Sequence, residues 1–216
     1  MRVAALTGSA LESALDDVAR LRITVFAEWP YLYDGDLAYE TRYLQTYRDA
    51  PGAILVGAFD GETLVGASTG TPLTAHADDF ATEFHGTGMD LSQIFYCAES
   101  VLLPAYRGQG IGHRFFDLRE EHARKLGYAK STFCAVQRPA DHPARPPDYR
   151  PLDPFWRARG YTPLEGVVAQ FHWRDLGGGE DWKEREDVGG DENTNERENT
   201  NEAETPKPLQ FWIRDL

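Results

Sequence analysis

The fold is decided by Ile94-Phe-Tyr-Cys-Ala-Glu99-Ser-Val-Leu-Leu103, then Pro104-Ala-Tyr-Arg107-Gly-Gln-Gly110-Ile-Gly112, then the run His113 to Leu126. The first part is rich in β-branched, aromatic and apolar residues and predicts one buried strand. Pro104 has no N–H for a ladder and marks the strand's end. Ile111, Phe115, Leu118, His122 and Leu126 recur at helical spacing, and Gly127 supplies a C-terminal stop. Strand, glycine turn and helix together make an anion site. The first turn of a helix carries unpaired N–H groups and the positive end of its dipole. Glycines let the backbone approach a phosphate with no Cβ in between.

Three phosphate-binding patterns compete for this turn. A P-loop needs Gly-Lys-Ser/Thr at its end, which this turn lacks. A dinucleotide turn needs G-x-G-x-x-G, whereas Gly108, Gly110 and Gly112 alternate. What remains is R-x-x-G-x-G, satisfied by Arg107, Gly110 and Gly112. With Val-Leu-Leu-Pro-Ala-Tyr before it and an amphipathic helix after it, the stretch resembles the acyl-CoA pyrophosphate loop of the GNAT acyltransferase family.

The chain's 216 residues, 41% of them hydrophobic, suffice for one domain with a full core. No run approaches the ~18 apolar residues of a membrane span, and no signal peptide is evident. A cytoplasmic location without a membrane partner is therefore expected. Cys97 and Cys134, both in apolar runs, read as buried reduced thiols. No His/Cys cluster has metal-ligand spacing, so no metal is expected. The net charge of -13 argues against nucleic acid as a partner. Much of that charge is local. Residues 177–206 hold eleven acids against Lys183, Arg185 and Arg197, a balance of -8 that leaves -5 for the remainder. The tract repeats Glu-Asn-Thr-Asn-Glu at 192–196 and 198–202 and predicts a disordered acidic insertion within a single domain, 1–216.

Val3–Leu6 predicts a first strand. Ser9 and Glu12 form a capping box for a helix carrying Leu11, Leu15, Val18, Leu21, Arg22 and Val25, which ends near Trp29-Pro30. A second helix covers Leu37 to Tyr47. Ala53–Phe59 and Leu64–Gly70 form a hairpin around Asp60-Gly61. Thr74 to Phe84 reads as a helix. Beyond the central unit come a strand at Ala129–Val136, a proline-rich loop, and a short helix from Pro154 to Arg159 closed by Gly160. Val167–Trp173 and Leu209–Arg214 are strands on either side of the insertion. The order β-α-α-β-β-(α)-β-α-β-α-β-β is an α/β fold with a mixed sheet and a right-handed βαβ unit. It resembles the GNAT fold, in which two central parallel strands splay apart and acyl-CoA lies in the cleft.

The resemblance implies acyl transfer from acetyl-CoA to an amine. Backbone N–H groups of Arg107, Gly108, Gln109, Gly110, Ile111, Gly112 and His113 would hold the pyrophosphate. Main-chain groups of Leu102 and Leu103 would pair with the pantetheine, and one backbone N–H at the splay would polarise the thioester carbonyl. Glu99 is the candidate base. It stands in an apolar strand, where a carboxylate is costly without a purpose or a partner. It also lies eight residues before Arg107, where many family members carry a Glu. Burial would raise its pKa toward the general-base range. The alternative is a structural Glu paired with an arginine.

The acid departs from the family pattern. Many relatives carry Tyr four residues before the glycine of Tyr-x-x-x-Gly-Phe; here that position is Trp156, whose indole cannot serve as acid and would pack against CoA. Tyr149 is the substitute by residue type, and thiolate release without an acid is also open. His113 and His142 are discounted as catalysts. The Phe26–Asp36 segment is aromatic and acidic. Its Glu28, Trp29, Tyr31 and Asp34 are the candidate acceptor contacts, with Asp36 beside them, and they favour a cation. The leading reading is N-acetylation of a small cationic amine. A protein acetyltransferase acting on lysines or N-termini, and a non-catalytic acyl-CoA-binding module, are its rivals. The acceptor, the acyl chain and the oligomeric state, with a homodimer among the options, stay open.

Overall fold

Apolar alternation along the strands builds a sheet covered by helices on both faces. The computed structural model describes residues 1–176 and 204–216. Strands β1 (Arg2–Leu6), β2 (Ile54–Asp60) and β3 (Thr63–Pro72) form an antiparallel meander. Asp60 pairs with Thr63, so the hairpin turn is Gly61-Glu62, one residue later than expected, with Gly61 at φ +59°. Helices α1 (Gly8–Phe26) and α2 (Leu37–Asp49) separate β1 from β2. After α3 (Ala77–Phe84) come β4 (Ile94–Tyr96), β5 (Ser100–Leu102), α4 (Ile111–Lys125) and β6 (Lys130–Val136). The chain then forms α5 (Asp153–Ala158), β7 (Thr162–Trp173) and β8 (Thr205–Asp215). The strand order is β1-β2-β3-β4-β6-β8-β7, with β5 attached to β3, and only β4 and β6 are parallel neighbours.

Period-two alternation sorts the core. Ile54, Val56, Phe95 and Trp212 face one side with Phe115 and Phe116 of α4. Leu55 and Ala67 face the other with Val18 and Leu21 of α1 and Leu44 of α2, while Ile94, Tyr96 and Phe211 pack with Phe80 of α3.

Four local expectations change. The N-cap of α1 is the extended Thr7, with no side-chain cap, so Ser9 and Glu12 form no capping box. On α4 the buried face is Ile111, Phe115, Phe116, Arg119, Glu120 and Ala123, while Leu126 is exposed, because Arg119 and Glu120 find polar partners inside. Strand β7 begins at Thr162, and its register shifts between Pro163 and Val168. At the far edge of the expected insertion, Thr205 and Pro206 pair with Trp173 and His172 as the start of β8; residues 177–203 lie outside the described residues.

The central correction concerns Ile94–Leu103, which is two short strands. Through Tyr96 the segment pairs with β6, and Cys97 N–H still donates to Thr132 O at 2.8 Å. On its other side β4 pairs with β3, Tyr96 with Thr71 and Phe95 with Pro72; from Ala98 the β6 pairing is lost and β3 remains, Ala98 N–H donating to Thr69 O and Glu99 O accepting from Thr69 N–H. Arg119 of α4, 1% exposed, holds this point. Its Nη1 donates to Thr69 O at 3.0 Å and Glu99 O at 3.1 Å, and its Nη2 donates to Ser100 Oγ at 3.0 Å. Each of these two carbonyls thus accepts both from a backbone N–H and from the guanidinium, which fixes the segment to α4. Beyond the break, β5 pairs only with β3, and Phe133–Val136 of β6 pair only with β8. The two strands therefore splay.

Candidate active site

A cleft of about 1250 Å³ opens where β5 and β6 part. Its mouth is the Arg107–Gly112 loop. Gly108 (φ +75°) and Gly110 (φ +79°) are left-handed, a backbone that favours glycine. A Cβ on either would meet nothing within 4 Å, and one on Gly112 would meet only Phe155 Cζ at 3.8 Å. The face these glycines present is bare. Gly110 is the N-cap of α4 and offers no side-chain cap, so the helix's first N–H groups lack a side-chain acceptor.

Side chains around the loop hold its shape. Arg107 Nε donates to Leu102 O at 3.0 Å, and Nη2 pairs with Glu28 Oε2 at 2.8 Å. Gln109 Nε2 donates to Ala105 O at 3.3 Å. The Ile111 side chain enters the core, and the exposed His113 ring packs edge-on against Phe155. Leu102 borders the cleft, but Leu103 does not have free main-chain groups to offer. Its N–H donates to Val65 O and its O accepts from Tyr106 N–H, and it does not border the cleft. Alternate residues of an antiparallel strand face opposite neighbours, so Ser100 and Leu102 turn theirs to the cleft.

A second cavity, of about 580 Å³, shares five lining residues with the cleft: Phe26, Tyr31, Ala98, Glu99 and Cys134. The two spaces thus meet at the strand break. There Glu99 is 6% exposed, and Arg22 Nη1 pairs with its Oε2 at 2.8 Å. The same guanidinium pairs through Nε with Glu40 Oε2; Glu40 is 0% exposed. Tyr47 O–H donates to Glu99 Oε2 at 3.4 Å and lies 3.1 Å from the Tyr43 hydroxyl. Glu99 Oε1 and Glu40 Oε1 make no close hydrogen bond. Burial works against the Arg22 charge, but Glu99, Tyr43 and Glu40 outweigh it and hold the guanidinium well above its ordinary pKa. Burial, and then the nearby Glu99 charge, push Tyr43 and Tyr47 up. Cys134 is pushed up to about 12 by burial.

The expected acceptor residues divide between the two spaces. Tyr31 borders both, Asp34 borders the smaller, and Glu28 and Trp29 border only the cleft. Glu28 serves the loop through Arg107. Trp29 packs against His142 and Tyr149, and its buried Nε1 lacks a partner. Asp34 accepts from Arg174 Nε at 2.6 Å, and Asp36 caps α2 through Tyr39 N–H at 2.8 Å. Trp156 borders the cleft, 5.1 Å from both Phe133 and Trp212 ring centres. Tyr149 borders the cleft as well, its pKa raised by burial and then by Asp153. Three further charged residues line these spaces without having stood out in the sequence: Arg22, Glu40 and Arg119. Their signal was a charge placed within the apolar stripe of a helix, as in Glu40, Leu44 and Tyr47 of α2. Among the described residues, no group of three or more His, Cys, Asp or Glu could hold a metal. No described helix is long and apolar enough to cross a membrane.

A mixed sheet splayed at its parallel pair, with a glycine-built helix N-terminus at the mouth, is a geometry suited to a phosphate-bearing ligand. The chain belongs to the acetyltransferase (GNAT) family, whose model matches residues 20–146. An aminoglycoside 6'-N-acetyltransferase complexed with coenzyme A is similar in fold: TM-score 0.56, 15% identity, covering 100% of this chain and 97% of that one. The ribosomal-protein-alanine N-acetyltransferase from Brucella melitensis gives TM-score 0.52 and 14% identity, with 100% of both chains covered. The protein yncA of Salmonella typhimurium, solved with its cofactor acetyl-CoA, gives TM-score 0.54 and 10% identity, covering 100% and 95%. No curated protein sequence matches the chain.

Proposed function

We propose that this protein transfers an acetyl group from acetyl-CoA to the amine of a small cationic molecule, with Glu99 as general base. One observation carries the reading: the loop-headed cleft and the smaller acidic, aromatic cavity meet at Glu99. Several features fit the co-substrate. The bare glycines and uncapped α4 suit a pyrophosphate, the Ser100–Leu102 edge suits an extended amide chain, and the orphan Trp29 Nε1 is an available donor. Bound there, acetyl-CoA supplies an acyl carbonyl for attack.

Glu99 is paired with Arg22, the arrangement also expected of a structural Glu; what supports the base role is its place where the two spaces meet. Arg22 and Tyr47 fix Oε2, leaving Oε1 to take a proton from the incoming ammonium. The amine nitrogen then bonds to the acyl carbon and the C–S bond breaks. A second ammonium proton neutralises the departing thiolate. No dedicated acid is required, which accords with Trp156 at the family's tyrosine position. Tyr149, whose pKa is raised, is a poor donor to a thiolate and acts as a wall of the cleft.

Turnover by the full chain of acetyl-CoA with a panel of small amines, followed by thiol release, tests this. Expected is amine-dependent release with an N-acetylated product. Release only with protein N-termini or lysines would move the reading to a protein acetyltransferase. Tight acetyl-CoA binding with no release would reduce it to a binding module.

A further inference from the structure

The smaller cavity holds more carboxylate than acyl transfer requires. Glu99 suffices as base, yet Glu40 lies beside it, fully buried, at the end of an α2 stripe that could have been apolar. Both carboxylates anchor Oε2 on Arg22 while Oε1 makes no close hydrogen bond, the Tyr33 hydroxyl standing beside Glu40, and both border the same 580 Å³ space. A buried carboxylate oxygen without a close hydrogen bond is costly, so a fold that keeps two side by side has a place for a donor. Two carboxyl groups thus face one guanidinium in a space lined by Tyr31, Tyr33, Tyr43 and Trp173.

We infer that Glu40 is the acceptor-binding residue: with Glu99 it grips a primary ammonium group through the two Oε1 atoms. This rests on the acetyltransfer reading above and names its acceptor class. A primary ammonium presents three N–H donors. Two satisfy the carboxylates, and its positive charge joins one guanidinium opposite two carboxyl groups. An alcohol brings no charge. A quaternary ammonium brings charge without donors and would rely on the aromatic rings alone. Glu40 holds the nitrogen, and Glu99, which alone of the two borders the cleft, takes the proton.

Calorimetry on the full chain with benzylammonium, benzyltrimethylammonium and benzyl alcohol tests the assignment. In the wild type, benzylammonium is expected to bind at least tenfold more tightly than either analogue. Glu40→Gln, which keeps an oxygen for Arg22, is expected to lower benzylammonium affinity at least tenfold while acetyl-CoA affinity stays unchanged. Equal binding of the quaternary ion in the wild type would overturn the inference, with no variant needed should Glu40→Gln not fold. So would a folded Glu40→Gln that keeps benzylammonium affinity within twofold. Failure of the wild type to bind acetyl-CoA would instead sink the acetyltransfer reading and leave the ammonium site standing.

Discussion

The cleft and the smaller cavity are built from different materials. The cleft's mouth is backbone: left-handed glycines, an uncapped helix end and one strand edge. The cavity is side chain: two glutamates and an arginine, all nearly sealed from water, ringed by tyrosines. Backbone amides are the same whatever the sequence around them, so a phosphate grip can be written in one contiguous loop. A buried ion cluster has to be assembled from several elements, here α1, α2 and the β4–β5 break. The first design recognises what acyl-CoA ligands share. The second, on the function proposed above, discriminates among acceptors.

Substitutions can break this division of labour at either end. The largest effect is expected at the meeting point. Glu99→Gln keeps the size but cannot accept a proton, and should lower kcat by roughly 10²–10⁴-fold while leaving acetyl-CoA affinity intact. A loss under about threefold at neutral pH would place the base elsewhere. Next is the loop. Gly112→Val adds bulk where only Phe155 stands nearby, so the fold should persist while acetyl-CoA affinity falls at least tenfold, about 1.4 kcal/mol. Unchanged affinity by calorimetry would mean that no phosphate approaches this face.

Tyr149→Phe sharpens the comparison by doing little. With its pKa raised by burial, the phenol is not needed as acid, and kcat should fall less than about fivefold, against the 10²–10⁴-fold cost of removing a true acid or base. A drop above a hundredfold would restore Tyr149 as the acid.

The smallest effect concerns Cys134, which borders both spaces. Its folded pKa is raised from 9.0 to about 12, so the native state keeps a neutral thiol. That contribution is whole below about pH 9 and is lost as pH climbs from 9 toward 12. At pH 10 the loss is on the order of 1 kcal/mol. Between pH 8 and pH 10, Cys134→Ser should therefore lose fewer degrees of Tm than the wild type. Equal losses in both proteins would show that this thiol ionises freely in the fold.

The order of elements, the hairpin, the glycine turn and the family could be read from residue order, because each depends on neighbours within a few positions. Arg107, Gly110 and Gly112 lie in one short loop, and Glu99 was conspicuous as a charge in an apolar run. What sequence misread was Ile94–Leu103. Its composition is continuous, and nothing local marks the point where pairing with β6 ends while pairing with β3 goes on. At that point Arg119, a turn and a helix away, binds the carbonyls of Thr69 and Glu99 and ties the strand to α4. Glu40 and Arg22 followed the same rule. Each looks like a flaw in an amphipathic stripe until the fold brings them to Glu99. Local spacing determines which segments become strands and helices. Which buried charges meet, and what cavity they line, is settled only when distant segments pack, since a charge can be buried only where its partner arrives.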